Sequence, residues 1–302
     1  MSEAREQCEN ILAEIRRWVT DPFNEQFLYY KSLEKVEVFT SGRDFHIGEL
    51  LVALNTLSSW SAAKGVIEIF EGRPTTYLCD SFWFSFFENT IMRRSFERAK
   101  GQKKGRVLSA VLGLKHLEQP RPRIDFNEQG LLLAKAFALG LVDEGEAIGR
   151  DSFMGLQDGR FYGLDTNRLT PFVVSVFARW KDIALPQEFP FAIPDGYQEL
   201  LLDLRADSDQ LRPAIVKACD FHLSRSKEHT DDETFEFAHP VDAIYPVEIL
   251  FVLRVRQLLG LDNPDVDHPL LNSPLGKLPE TKCSLSAELT LILERIKKEF
   301  PT

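Results

Sequence analysis

The sequence lacks the residue spacings that the common catalytic motifs require. It contains no G-x-S-x-G, no G-x-x-x-x-G-K-[ST], no dinucleotide glycine fingerprint and no H-E-x-x-H. Ser61 and Lys64 fit the S-x-x-K spacing, but the S-D-N and K-T-G companions are absent. A nucleophile or a phosphate cradle depends on such fixed spacings. We therefore predict that the protein is not an enzyme and needs no cofactor.

Cysteine is also scarce. The four cysteines, Cys8, Cys79, Cys219 and Cys283, lie far apart and form no C-x-x-C pair. Zinc ribbons and dithiol redox sites need close pairs, so both are excluded. We expect four reduced thiols inside the core of a protein from a reducing compartment.

Export and membrane signals are missing as well. The sequence opens with MSEAREQCENILAEIRRWV, which is charged and amphipathic, and charged residues interrupt every long apolar stretch. A secretory signal needs an uninterrupted apolar segment, and a membrane span needs about 20 apolar residues. We expect a cytoplasmic bacterial protein that does not enter the membrane.

Helical periodicity dominates what is present. Apolar residues recur every three or four positions from Glu3 to Val19 and again from Ser284 to Phe300, which is typical of amphipathic helices. The run VEVFTSG at 36–42 is the one strand-like stretch in its region, and it is too short to imply a sheet. Further along the chain, residues 107–117 are predicted to form a helix. The sequence predicts an all-α fold, an irregular multi-helix bundle of about ten helices over residues 1–302. If it divides into two packed subdomains, the boundary lies in the proline-rich segment 184–196.

Negative charge is concentrated in the carboxyl-terminal half. Residues 1–150 contain 20 Lys and Arg against 21 Asp and Glu, whereas residues 151–302 contain 16 against 25. Such a surface repels nucleic acid and anionic lipid and attracts basic partners. The basic residues between Arg93 and Arg106 are interpreted as a helix end and an exposed connection, because cations at a helix end complement its dipole and the protein as a whole is acidic.

Two polar features allow more than one interpretation. Glu248 lies in the apolar run YPVEILFVLRVRQLLGL, where a buried carboxylate needs a partner, and we expect an arginine. Asp220, His222, His239 and Asp242 could form a metal site if they converged, which would favour a metal-dependent enzyme. Hydrogen bonding and capping by the same residues is the simpler interpretation.

Several segments resemble a known class of proteins. YPVEILFVLRVRQLLGL, the following DHPLLNSPLGKLP, and the upstream CDFHLSR and VFARW are similar to α-helical immunity proteins of bacterial polymorphic-toxin and type VI secretion systems. The resemblance covers mainly Phe172 to Pro279. It implies a cytoplasmic protein that binds and neutralises a cognate toxin or effector.

Many toxins of this kind act on anionic substrates and so present basic surfaces, which an acidic surface can cover. A helical scaffold or regulatory module that binds another protein is the alternative, and no oligomeric state is predicted. The candidate residues for contact with the partner are Asp231, Asp232, Glu233, Glu236, Asp262, Asp265 and Asp267.

Overall fold

The computed structural model describes residues 3–74, 76–101, 124–164, 169–185, 189, 193–230, 233–280 and 283–301. These residues form an all-α bundle, as the sequence predicted. The predicted helix at 107–117 and the candidate contact residues Asp231 and Asp232 lie outside the described residues.

The described helices lie along the chain in the following order. In the first half they are α1 Glu3–Thr20, α2 Pro22–Asn24, α3 Lys31–Thr40, α4 Ile47–Phe70, α5 Thr76–Gly101, α6 Phe126–Ala138 and α7 Val142–Asp158, with a π-helical segment Glu25–Tyr30 before α3. In the second half they are α8 Leu169–Lys181, α9 Asp195–Leu202, α10 Ser208–Ser224, α11 Pro240–Ile244, α12 Val247–Leu258, α13 Pro269–Asn272 and α14 Ala287–Glu299, with a 3-10 turn Pro274–Gly276 after α13.

The strand-like interpretation of 36–42 is wrong, because this run forms the end of α3. Val36 and Phe39, three positions apart, are both buried on one face of the helix. Their burial outweighs the preference of β-branched residues for strands. Within the described ranges the strands are β1 Ile124–Asp125 and β2 Phe161–Tyr162, which are two residues long and pair in parallel.

Helices α4 and α5 form an antiparallel hairpin at the centre of the first half. Gly72, at φ +74°, adopts the left-handed conformation just after α4, and the chain reverses there. Gly65 allows the close approach, since a Cβ atom at this position would lie 2.7 Å from the backbone nitrogen of Leu78. Of the described helices, α4 is long and apolar enough to cross a membrane, but 67% of its most apolar window is buried inside the protein.

Helix α12 occupies the centre of the second half and is buried along most of its length. It packs against α6, where the rings of Phe251 and Phe137 have centroids 4.8 Å apart. The main cluster of buried apolar side chains contains residues from Ile15 to Phe300. The core therefore includes residues from both sides of segment 184–196.

The expectation of four reduced thiols is wrong for two cysteines. Cys79 on α5 and Cys283 before α14 form a disulfide, with their Cα atoms 5.7 Å apart, while Cys8 and Cys219 are free. The same end of the chain is held by arginines of α5, because Arg94 donates to the carbonyl of Phe300 and Arg98 to that of Glu299. These two arginines thus cap the carboxyl terminus of α14.

Candidate functional site

The loop before α11 does not present all of its predicted acidic residues to solvent. Glu233 is exposed, but Glu236 is 7% exposed and its Oε2 accepts from Nε of Arg225 at 2.6 Å. The prediction of Glu236 as a contact residue is therefore corrected, because its carboxylate is used inside the protein. Arg225 also bonds Glu233 and the carbonyl of Thr234, so one arginine holds this loop.

The other predicted acidic loop, 262–267, does present its carboxylates. Asp262, Asp265 and Asp267 are exposed, and so is Asp207 at the start of α10. Ser208 Oγ donates to the carbonyl of Asp262 at 3.1 Å, which places the two segments side by side. Asp207 caps α10 by accepting from the backbone of Gln210.

Asp220 extends this surface from α10, since His268 Nε2 lies 3.4 Å from its Oδ1. Burial lowers the pKa of His268, although Asp220 opposes the shift, so burial disfavours a charged imidazole beside Asp220. We call this surface the acidic face, and its residues are Asp207, Asp220, Asp262, Asp265 and Asp267. Within the described ranges, no lysine or arginine forms an ion pair with any of the five.

A buried arginine holds the acidic face in place. Arg256 is 1% exposed, and its Nη1 donates to the carbonyls of Leu204 and Ala206, both at 2.8 Å. Its Nη2 donates to the carbonyl of Asp262 at 2.6 Å. Because these acceptors are backbone atoms, the exposed carboxylates are left available to solvent or to a partner.

The four residues considered for a metal site do not converge. Asp220 contacts His268, and Asp242 lies 2.8 Å from the ammonium group of Lys135. His239 caps α11, and His222 is wholly buried, with its Nδ1 beside Glu248 and its Nε2 3.2 Å from the carbonyl of Ala243. In the part of the chain that the structure describes, no group of three or more His, Cys, Asp or Glu residues could hold a metal ion.

Glu248 has different partners from the arginine expected for it. Its Oε1 accepts from the hydroxyl of Tyr197 at 3.0 Å and lies 2.8 Å from Nδ1 of His222. All three side chains are fully buried, and they join α9, α10 and α12. Burial, together with the charge of Glu248, raises the pKa of Tyr197 well above its ordinary value. This cluster stabilises the packing and has no access to solvent.

The structure adds a site that sequence reasoning missed. A cleft of about 520 Å³ lies between α4, α5, α6 and α11. We call it the polar cleft, and the residues that define it are Ser85, Glu88, Asp125, Glu128, Lys135 and Asp242. The strand pair brings Asp125 and Tyr162 together at its edge.

Negative charge predominates in the polar cleft. Among the described residues, four carboxylates and one ammonium group line it, and that ammonium group, on Lys135, is already paired with Asp242. Burial, followed by the charge of Glu128, raises the pKa of Glu88 to about 7, although Asn55 Nδ2 donates to Glu88 at 3.3 Å and opposes the shift. The pKa of Glu128 is also raised, because of desolvation and the nearby Asp125.

Hydroxyl and amide groups continue the polar lining. Ser58 Oγ lies 2.6 Å from Ser85 Oγ and donates to the carbonyl of Ser81 at 2.9 Å. Asn89 Nδ2 donates to Oε1 of the buried Gln129 at 2.8 Å. These polar residues occur within the otherwise apolar helices α4, α5 and α6, which is the sequence signal that could have indicated the cleft.

Comparisons with known proteins add no assignment. No family model matches the chain, and neither a curated protein nor a solved structure does.

Proposed function

We propose that the protein is an immunity protein, which binds a cognate bacterial toxin or effector in the cytoplasm and neutralises it. The observation that carries the proposal is the acidic face, where five carboxylates are exposed and a buried arginine bonds the backbone at Asp262 and next to Asp207. The resemblance of Phe172 to Pro279 to immunity proteins supports the same assignment.

The acidic face is suited to a partner with a basic surface. Exposed charges at an interface accelerate encounter and discriminate among partners more than they increase affinity at equilibrium. Because Arg256 fixes the backbone on both sides of the face, the carboxylates need little ordering when a partner binds. Neutralisation then follows from covering the basic site that the toxin uses for its own substrate.

Coexpression with the product of the adjacent gene tests the proposal. We expect the two proteins to copurify and the cells to survive expression of the toxin. The triple variant Asp262→Asn, Asp265→Asn, Asp267→Asn should lower the association rate constant on the order of tenfold and should flatten its dependence on salt.

The matched control removes three carboxylates elsewhere. Glu6, Glu14 and Glu34 are exposed on α1 and α3, and the variant with Gln at all three should bind almost like the wild type. If the adjacent protein neither copurifies nor is neutralised, the proposal is wrong. A stable complex without protection would indicate a scaffold or regulatory module instead.

A further inference from the structure

We propose that the polar cleft is a binding site for a small organic cation with several N–H donors, of the guanidine or polyamine class. This inference concerns a different part of the molecule from the acidic face and does not rest on the proposed function.

The shape of the cleft favours a molecule over a surface contact. It lies between helices of both halves and is lined by serine hydroxyl groups of α4 and α5 and by the carboxylates of Glu88, Asp125, Glu128 and Asp242. Met92, Leu131 and Leu132 also line it, so an aliphatic stem can be covered as well as a charged head.

The polar groups of the cleft set the charge of the ligand. After Lys135 is paired with Asp242, three carboxylates remain, those of Glu88, Asp125 and Glu128. Asp125 accepts from the backbone of Asn127 at 2.7 Å as a helix cap and shares a side-chain hydrogen bond with Tyr162. In the described part of the chain, the one donor to Glu88 is the amide of Asn55. Among the described residues, none of the three has a lysine or arginine within ion-pair distance. Guanidinium and ammonium groups donate without accepting, which matches such a lining.

The spacing of the carboxylates favours an organic cation over a metal ion. A metal needs three or more ligands around one point, and no such group of His, Cys, Asp or Glu occurs in the described part of the chain. A ligand that distributes its N–H groups over several atoms can reach separate carboxylates. Guanidines and polyamines have this property.

Proton release gives the proposal a specific signature. Glu88, with a pKa near 7, faces Glu128 from α6, Asn55 from α4 and the phenol of Tyr162 from β2. A cation in the cleft stabilises the charged form of Glu88 and so expels about half a proton at pH 7. His239 also lines the cleft, so a Glu88→Gln variant is needed to assign that proton.

Isothermal titration of the purified full-length chain with agmatine and with spermidine tests the inference. At least one of them should bind, and Glu88→Gln and Glu128→Gln should each weaken that binding by about tenfold or more. Titration in two buffers of different ionisation enthalpy should show the released proton for the wild type and a smaller release for Glu88→Gln. Glu14→Gln, which removes an exposed charge on α1, should bind like the wild type.

The neutral compound butylurea and magnesium chloride serve as reference ligands. Equal binding of butylurea would refute the requirement for positive charge. If Mg²⁺ displaced the bound amine at equal ionic strength, the binding would be diffuse electrostatic attraction and the proposal of a specific site would be wrong. Absence of binding by both amines at millimolar concentration would also overturn the inference. Thermal unfolding of each variant shows whether it is folded. If Glu88→Gln does not fold, Glu128→Gln still tests the proposal.

Discussion

Replacement of Glu88 by Gln should remove a pH-dependent loss of stability. The pKa of Glu88 is about 7 in the folded protein, against an ordinary value of 4.5. Between these two values the folded state holds a proton that the unfolded state has released. The free energy of unfolding must therefore fall as the pH rises from 4.5 to 7, and it must level off above 7.

The size of this effect follows from the shift. About 2.5 pKa units correspond to about 3 kcal/mol, and partial access of water reduces the expected value to about 2 to 3 kcal/mol. The free energy of unfolding of Glu88→Gln minus that of the wild type should be larger at pH 8 than at pH 4.5 by this amount. Asp80, whose pKa is raised to about 6, contributes its own pH dependence, but it does so in both proteins and cancels in the comparison.

Urea unfolding of the wild type, Glu88→Gln and the control Glu14→Gln at intervals from pH 4.5 to 8 measures the difference. The control should run parallel to the wild type at every pH. A constant offset between the Gln variant and the wild type would refute the reasoning, because it would mean that Glu88 titrates alike in the folded and unfolded chain. So would a growing advantage of the wild type above pH 7.

Three further predictions concern the core. Because the disulfide closes a loop with a sequence separation of 204 residues, Cys283→Ser should lose up to about 5 kcal/mol of unfolding free energy, and a reductant that leaves the urea midpoint of the wild type unchanged would contradict this. Glu248→Ala should lower the free energy of unfolding, measured with urea, by about 3 to 5 kcal/mol, because Tyr197 and His222 would lose the buried acceptor they share. Gly149→Ala should lower the midpoint of thermal unfolding despite alanine's better helix propensity, because the new Cβ would lie 2.4 Å from the ring of Phe177. A raised midpoint would show that the ring can move aside.

Helical periodicity was sufficient to predict the fold class. Buried residues such as Ile15 and Val19 on α1 recur four positions apart, and such local spacing is visible in a single sequence. The run 36–42 was misread because its β-branched residues favour a strand when tertiary packing is ignored. Packing against the neighbouring helices decides its state, and that contact is not encoded locally.

The candidate sites were less accessible from sequence. Acidic residues can be counted, but their availability depends on distant partners, as Glu236 and its bond to Arg225 show. The partners of Glu248 lie 26 and 51 positions away, so their identity could not be read from the spacing of charges within α12. The polar cleft collects side chains from Asn55 to Asp242, and only the packing of four helices brings them together.

The hydrogen bonds of the buried Arg256 determine which residues around it can be replaced. The Arg256 guanidinium donates to main-chain oxygen atoms alone. These hydrogen bonds therefore do not involve the side chains of Leu204, Ala206 and Asp262. Exposed residues near Arg256 can be replaced without breaking these hydrogen bonds. The residues proposed to recognise a partner can thus be redesigned in the laboratory while the backbone beneath them keeps its conformation.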